Sequence, residues 1–216
     1  MPEILHKLSW THIKSYIDSK LVAHKLGIVR NAKYFVRCGV HLGKGSNIQG
    51  DVKLQLRQGG YMSIGYNFTC QSGLMTNPLG ANLNSFFRVG EHGVLNIGDH
   101  VGMSSSSIWC NQSITIGNNV KIGAGCIICD TDCHSLDPLL RLDPKTDACN
   151  AKCAPIEIKD SSFIGARSII CKGVTVGANS IVGIGSVVTK SIPDNEIWAG
   201  NLAKFIRKIE TSEQEN

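Results

Sequence analysis

The sequence predicts an all-β solenoid, a narrow coil of short strands stacked turn upon turn. Three observations carry that prediction. Ile158, Ile164, Ile170, Val176, Val182 and Val188 are aliphatic residues spaced by six. Gly165, Gly177 and Gly183 follow three of them, and Ser162, Ser168, Ser180 and Ser186 stand four residues after four of them. Composition agrees, with aromatics at only 6% and 23 glycines among 216 residues, which suits a slender repetitive core better than one filled by large rings. A period of six fits neither the 3.6 of a helix nor the 2.0 of a two-faced strand carried over the whole length. It does fit a three-sided coil whose sides are short strands of equal length. Each side points one aliphatic inward with a small residue beside it, and glycine is expected at the corner, where φ can turn positive. Coils then stack at the strand spacing of roughly 4.8 Å.

In chain order, residues 1–36 form a basic amphipathic N-terminal segment. Ile4, Leu5, Leu8, Ile13, Tyr16, Ile17 and Leu21 fall near helical spacing, so a helix over residues 2–22 is expected to cap the open end of the solenoid or to pack on a neighbour. The solenoid occupies residues 37–200, beginning with a weak repeat at Leu42, Ile48 and Leu54 and strengthening at Ile116, Ile122 and Ile128. The rhythm breaks after Ile128 and resumes at Ile158, which marks a long loop over about residues 129–157. Residues 201–216 form a C-terminal segment that ends in a frayed tail.

Charge and cysteine content narrow the function. The net charge of +5 lies entirely in residues 1–37, and the remainder balances to zero. A nucleic-acid binder would carry its basic stripe on the main fold. No run of about 18 apolar residues is present, so no integral membrane segment is expected, and the first twenty residues lack a secretory apolar core. A cytoplasmic location follows as the default. Nine cysteines, an odd number, suit reduced thiols better than a disulfide scaffold. Cys126, Cys129, Cys133, Cys149 and Cys153 superficially resemble zinc ligands, but the Cys126–Cys129 pair straddles a strand, so no metal is expected. His92 and His100, eight apart, fit neither one corner nor adjacent coils, which argues against a three-histidine zinc enzyme.

The loop is where chemistry-bearing residues gather: Asp130, Asp132, His134, Asp137 and Arg141. His134 is the only histidine after His100, and it falls where a long insertion leaves the coil. Structureless insertions of this length are usually either functional or disordered, and this one is dense in groups that do chemistry.

The repeats resemble those of the hexapeptide-repeat acyltransferases over about Val40 to Arg207, and the run Asp130-Thr131-Asp132-Cys133-His134-Ser135-Leu136-Asp137-Pro138, with Arg141 seven residues past the histidine, is similar to the active-site loop of sugar and polysaccharide O-acetyltransferases. That resemblance implies a left-handed parallel β-helix, acetyl-CoA as co-substrate, and transfer of an acetyl group to a saccharide hydroxyl. It implies His134 as the general base, with Asp132, Asp130 or a backbone carbonyl on its far nitrogen. Asp137 and Arg141 read as a salt bridge that shapes the loop. The backbone N–H of Ala166, after Ile164-Gly165, corresponds to an oxyanion donor. Gly183-Ile184-Gly185-Ser186-Val187-Val188-Thr189-Lys190 is similar to the family's Gly-Ala-Gly-Ser-(Val/Ile)-Val-Thr-Lys, with Ile184 bulkier than the usual Ala. Ala199-Gly200-Asn201-Leu202-Ala203-Lys204-Phe205-Ile206-Arg207 is similar to Ala-Gly-Asn-Pro-Ala-Lys-x-Ile-Arg, with Leu202 in place of Pro. Ile184, Thr189, Lys190, Lys204 and Arg207 are thereby the expected donor-binding positions. Met103 and Asn111 stand where disaccharide-acetylating relatives carry acceptor-contacting Asn and Asp. The family also implies a homotrimer with each active site between two subunits. Acyltransferases of the same fold acting on serine, an amino sugar or an antibiotic are the alternative, followed by a non-catalytic metal-binding or scaffold solenoid.

Overall fold

The computed structural model describes residues 25–73, 76–80 and 83–210. The helix expected over residues 2–22 and the tail after residue 210 lie outside them. Three sheets form the sides of a coil. The first stacks β1 (His41–Leu42), β4 (Tyr61–Ile64), β7 (Val94–Ile97), β10 (Ser113–Ile116), β13 (Ile156–Ile158) and β16 (Thr175–Val176). The second stacks β2 (Asn47–Gly50), β5 (Thr69–Ser72), β8 (Gly102–Ser104), β11 (Lys121–Ile122), β14 (Phe163–Ile164), β17 (Ile181–Val182), β19 (Glu196–Ala199) and β20 (Lys204–Lys208). The third stacks β3 (Val52–Leu56), β6 (Ser85–Val89), β9 (Ser107–Cys110), β12 (Ile127–Cys129), β15 (Ile169–Cys171) and β18 (Val187–Val188). Every pairing is parallel except the last, where β20 folds back on β19.

The six-residue rhythm is the cause of this geometry. Ile158, Ile164 and Ile170 each pair in register with the next aliphatic of their own side, Val176, Val182 and Val188, and all six are fully buried. One interior therefore receives three columns of aliphatics, each side chain contributing about 1.5–3 kcal/mol of burial. The serines four positions later are buried because their hydroxyls satisfy corner carbonyls: Ser168 Oγ donates to Gly183 O (2.9 Å) and Ser162 Oγ to Gly177 O (2.9 Å).

The role expected of the corner glycines needs correction. Gly165 is not among the positive-φ residues; it is glycine because a Cβ there would lie 2.6 Å from Ile184 N of the next coil. The left-handed position comes two residues later, filled by Arg167 (φ 60°), Asn119 (59°) or Asn179 (60°). Asparagine tolerates that region better than most side chains.

Residues 25–37 are helical (α1) and cover the mouth of the coil. Phe35 is buried against Phe87, ring centroids 5.7 Å apart, and Asn31 Nδ2 donates to Ile48 O (2.9 Å) and Gly50 O (2.8 Å). Those carbonyls belong to β2, the outermost strand of the second sheet, so the helix side chain satisfies an edge that no further coil pairs. No helix among the described residues is long and apolar enough to cross a membrane.

Candidate active site

The loop that connects β12 of the third sheet to β13 of the first is ordered by its own short elements, a 3₁₀ turn at Leu140–Leu142 and helix α2 at Pro144–Asn150. Asp143 caps α2, its carboxylate accepting from Lys145 N (3.1 Å) and Thr146 N (2.9 Å), and Pro144 occupies the first turn, where its missing N–H costs nothing. The effect of α2 is to bring Asp147 back to the start of the loop. Asp147 Oδ2 lies 2.6 Å from His134 Nδ1, and Asp147 Oδ1 accepts from Ser135 N at 2.7 Å.

This pair is asymmetric. The His134 side chain is 70% exposed, whereas that of Asp147 is 14% exposed. The hydrogen bond with His134, then that from Ser135 N–H, and the nearby charge of Arg141 hold the Asp147 carboxyl below the usual aspartate range. An ionised carboxylate on Nδ1 fixes the tautomer and leaves Nε2 as the ring's proton acceptor, facing solvent.

The carboxylates expected to orient His134 do other work. Asp130 is fully buried and accepts from Asn111 N (2.7 Å), Gln112 N (2.8 Å) and Ser113 N (2.9 Å), so it fastens the corner between β9 and β10. Asp132 pairs with Lys172 Nζ at 2.7 Å, its backbone N–H donating to Lys152 O. The Asp137–Arg141 salt bridge is also replaced. Asp137 Oδ1 accepts from Leu139 N (2.8 Å), and Arg141 Nη1 donates to Ser135 O (3.0 Å). Both still shape the loop, each through the backbone. The sequence reading does not single out Asp147, although Asp143-Pro144 carries the signature of a helix start that would return the chain toward His134.

On the acceptor side, Met103 points into the coil, 3% exposed and in register with Ile122 and Cys70, so no acceptor can reach its side chain. Asn111 is half-buried at the corner that Asp130 fastens, and it accepts from Trp109 Nε1 (3.3 Å). Asn111 thus lies beside the first residues of the loop, whereas the Met103 side chain faces the interior.

The donor positions sort by corner. Between the first and second sheets, the amide after four of the corner glycines is capped by a side chain of the next coil: Tyr66 N by Asp99 (2.7 Å), Asp99 N by Asn118 (2.9 Å), Asn118 N by Asp160 (2.7 Å) and Ala178 N by Asp194 (2.8 Å). Between the second and third sheets, the equivalent amides of Ala124, Ala166 and Ile184 have no protein acceptor among the described residues. These three stand in register on successive coils and form a column of free N–H donors. Ile184 is 74% exposed, and Thr189, Lys190, Lys204 and Arg207 are all exposed, the last two on β20. Cys126 is buried, its thiol donating to Gly165 O. Among the described residues no three His, Cys, Asp or Glu side chains gather to hold a metal ion.

Comparison with known proteins agrees with the repeat and the coil. The profile described as the hexapeptide repeat of succinyl-transferase matches residues 95–129 and 155–190. A Schizosaccharomyces pombe protein named for acetyltransferase activity is 44% identical over 97 residues, covering 45% of this chain and 44% of its own length. The galactoside O-acetyltransferase of Lactococcus lactis is 37% identical over 103 residues, covering 48% of this chain and 47% of its own. The chain therefore spans about half the length of the curated relatives it matches. Among solved structures, an N-acyltransferase from Bacillus cereus in complex with dTDP and coenzyme A superposes with a TM-score of 0.60 at 20% identity, over 79% of this chain and 84% of that one. The chain is thus similar to hexapeptide-repeat proteins over the matched repeats, and it shares the fold of that N-acyltransferase.

Proposed function

We propose that the chain is an acetyl-CoA-dependent O-acetyltransferase that acylates a saccharide hydroxyl, with His134 as the general base. The observation that carries this reading is the His134–Asp147 pair, a solvent-facing imidazole held through Nδ1 by a carboxylate at 2.6 Å. A hydroxyl is a weak nucleophile near neutral pH, and imidazole is the side chain suited to take its proton there. Nε2 of His134 removes the hydroxyl proton as the oxygen attacks the thioester carbonyl. Asp147, ionised throughout, stabilises the imidazolium that results. The proton on Nε2 then passes to the departing thiolate of coenzyme A.

The column of free amides supplies what the other half of the reaction needs. Preorganised N–H donors stabilise a tetrahedral oxyanion and cost no reorganisation when the charge develops. Ala166 N–H takes that role in this reading, and Ile184 N–H, one coil on, binds the amide-bearing arm of the donor. Thr189, Lys190, Lys204 and Arg207 face its phosphates. A left-handed winding of the coil, a trimer with each site between two subunits, a cytoplasmic location and division into residues 1–36, 37–200 and 201–216 belong to the same reading.

The test is steady-state acetyl transfer to a panel of saccharides, following free thiol release. His134→Ala is expected to lower turnover by about 10²–10⁴-fold with donor affinity nearly unchanged. Sequential kinetics are expected, since no acetyl-enzyme forms. Ping-pong kinetics with an acetylated Cys133 found by mass spectrometry would move the central role to the thiol.

A further inference from the structure

We propose that Cys129 and Cys133 are a redox-sensitive thiol pair whose disulfide displaces His134 and switches off acetyl transfer. The thiol pair stands on its own geometry, and only its effect on turnover rests on the reading of His134 as the base. The two sulfurs are 4.0 Å apart, the one close approach between thiols among the described residues. Cys129 ends β12 and points outward from the third sheet, in register between Trp109 and Cys171. Cys133 follows four residues later at φ 63°, a left-handed conformation rare for a residue with a Cβ. Thr131 holds the turn between them. Its carbonyl accepts from Cys129 Sγ (3.3 Å), its hydroxyl accepts from Cys133 N (3.0 Å), and its backbone bridges to Cys153. Both ends of this short turn thus present sulfur to each other on the outside of the coil, unlike Cys70, Cys110 and Cys126, which are buried.

The oxidant by class is a peroxide. Burial raises the Cys129 thiol well above its ordinary pKa, which leaves Cys133 as the attacking sulfur. The Cys133 thiolate attacks one peroxide oxygen, the O–O bond breaks, and the hydroxide that leaves is protonated to water. The Cys133 sulfenic acid is then attacked by Cys129 sulfur. Its S–O bond breaks, and the departing hydroxide takes the Cys129 proton as a second water. Two thiols and one peroxide give one disulfide and two waters, each sulfur losing one electron.

Forming the bond requires the sulfurs to close by about 2 Å, to the roughly 2.05 Å of a disulfide. Cys133 is joined to His134 by a single peptide unit, so its shift pulls the imidazole from Asp147. A misplacement of about 1 Å in a catalytic group costs on the order of 10²-fold in rate.

The experiment uses the full chain, treated with hydrogen peroxide, quenched, and split between non-reducing peptide mapping and the acetyl-transfer assay. A Cys129–Cys133 cross-link, with turnover reduced about 10²-fold and restored by dithiothreitol, is the expected result. Cys129→Ser should keep its turnover before oxidation, form no cross-link, and accumulate a Cys133 sulfenic acid that dimedone traps. A cross-link from Cys129 to Cys171, an unoxidised Cys133 when the exposed Cys149 is oxidised, or full turnover in the cross-linked protein each overturns the switch. Failure of His134→Ala to lower turnover would instead overturn the catalytic reading and leave the mapped disulfide intact.

Discussion

Replacing Asp147 with asparagine changes one atom and reverses one hydrogen bond. The introduced side chain can keep its Oδ1 on Ser135 N, where the carboxylate now accepts at 2.7 Å, so the loop has no reason to unfold. Its amide nitrogen becomes an N–H donor facing His134 Nδ1, which in the native chain lies 2.6 Å from a carboxylate oxygen. The imidazole then protonates on Nε2 and accepts through Nδ1, and the nitrogen that faces the acceptor can no longer take a proton. In the serine-protease template the same exchange costs about 10⁴ in turnover, and loss of a partner behind a metal-bound histidine costs about 10–100-fold. With the His134 side chain 70% exposed, water can in part replace the lost charge, so a fall of about 10²–10³ is expected. The assay is turnover by thiol release, with donor affinity by calorimetry and Asp132→Asn in parallel. Turnover should fall in Asp147→Asn with affinity held, while Asp132→Asn, which loosens only the pair with Lys172, changes turnover a few-fold at most. Near-normal turnover in Asp147→Asn beside an inactive His134→Ala would refute the orienting role. A pH test carries the same logic. The folded-state pKa of Asp147 is depressed below its ordinary 3.8, so its contribution to loop order is present above that value and lost as pH falls through the folded pKa. The protection factor of the Ser135 amide, taken against its intrinsic exchange rate at each pH, should fall on acidification below about pH 4, and should not do so in Asp147→Asn.

Two further outcomes test the coil and the donor surface. Ile170→Asp puts an unpaired carboxylate into a fully buried column, at a cost of several kcal/mol; thermal unfolding should show a collapse of stability, and an unchanged midpoint would deny the shared interior. Lys204→Ala with Arg207→Ala should raise the apparent KM for acetyl-CoA, with a smaller effect at high salt because exposed charges are screened; unchanged donor affinity by calorimetry would make both residues merely solvated.

The solenoid was legible because its physics is local and repeated. Each six-residue side meets the same surroundings as the last, so Ile158 through Val188 announce themselves by period alone. Serine four places after four of them is also regular, since those corners leave a carbonyl that a small hydroxyl can reach, while Val174 and Ile192 take the same place after Ile170 and Val188. The glycine reading failed in an instructive way. Gly165 marks a corner as the sequence suggests, but the constraint is the approach of Ile184 N in the next coil, which no single coil contains. His134 was legible as the histidine where a long insertion leaves the coil, and Asp147 was not, because it stands thirteen positions further on, inside a helix of its own.

What the sequence determined by itself is the period, the break in it and the identity of the one loop histidine. These depend on spacing along the chain, which composition and order fix. The partners of the loop residues were decided by tertiary structure. Asp130 turns back to fasten Asn111, Gln112 and Ser113, Asp132 reaches Lys172, and Asp147 returns to His134. Met103 keeps the inward phase of its strand and so leaves the acceptor side altogether. Carboxylates of equal chemistry in one short segment are interchangeable on paper; burial and the direction of each backbone step separate them, and both exist only once the coil has closed.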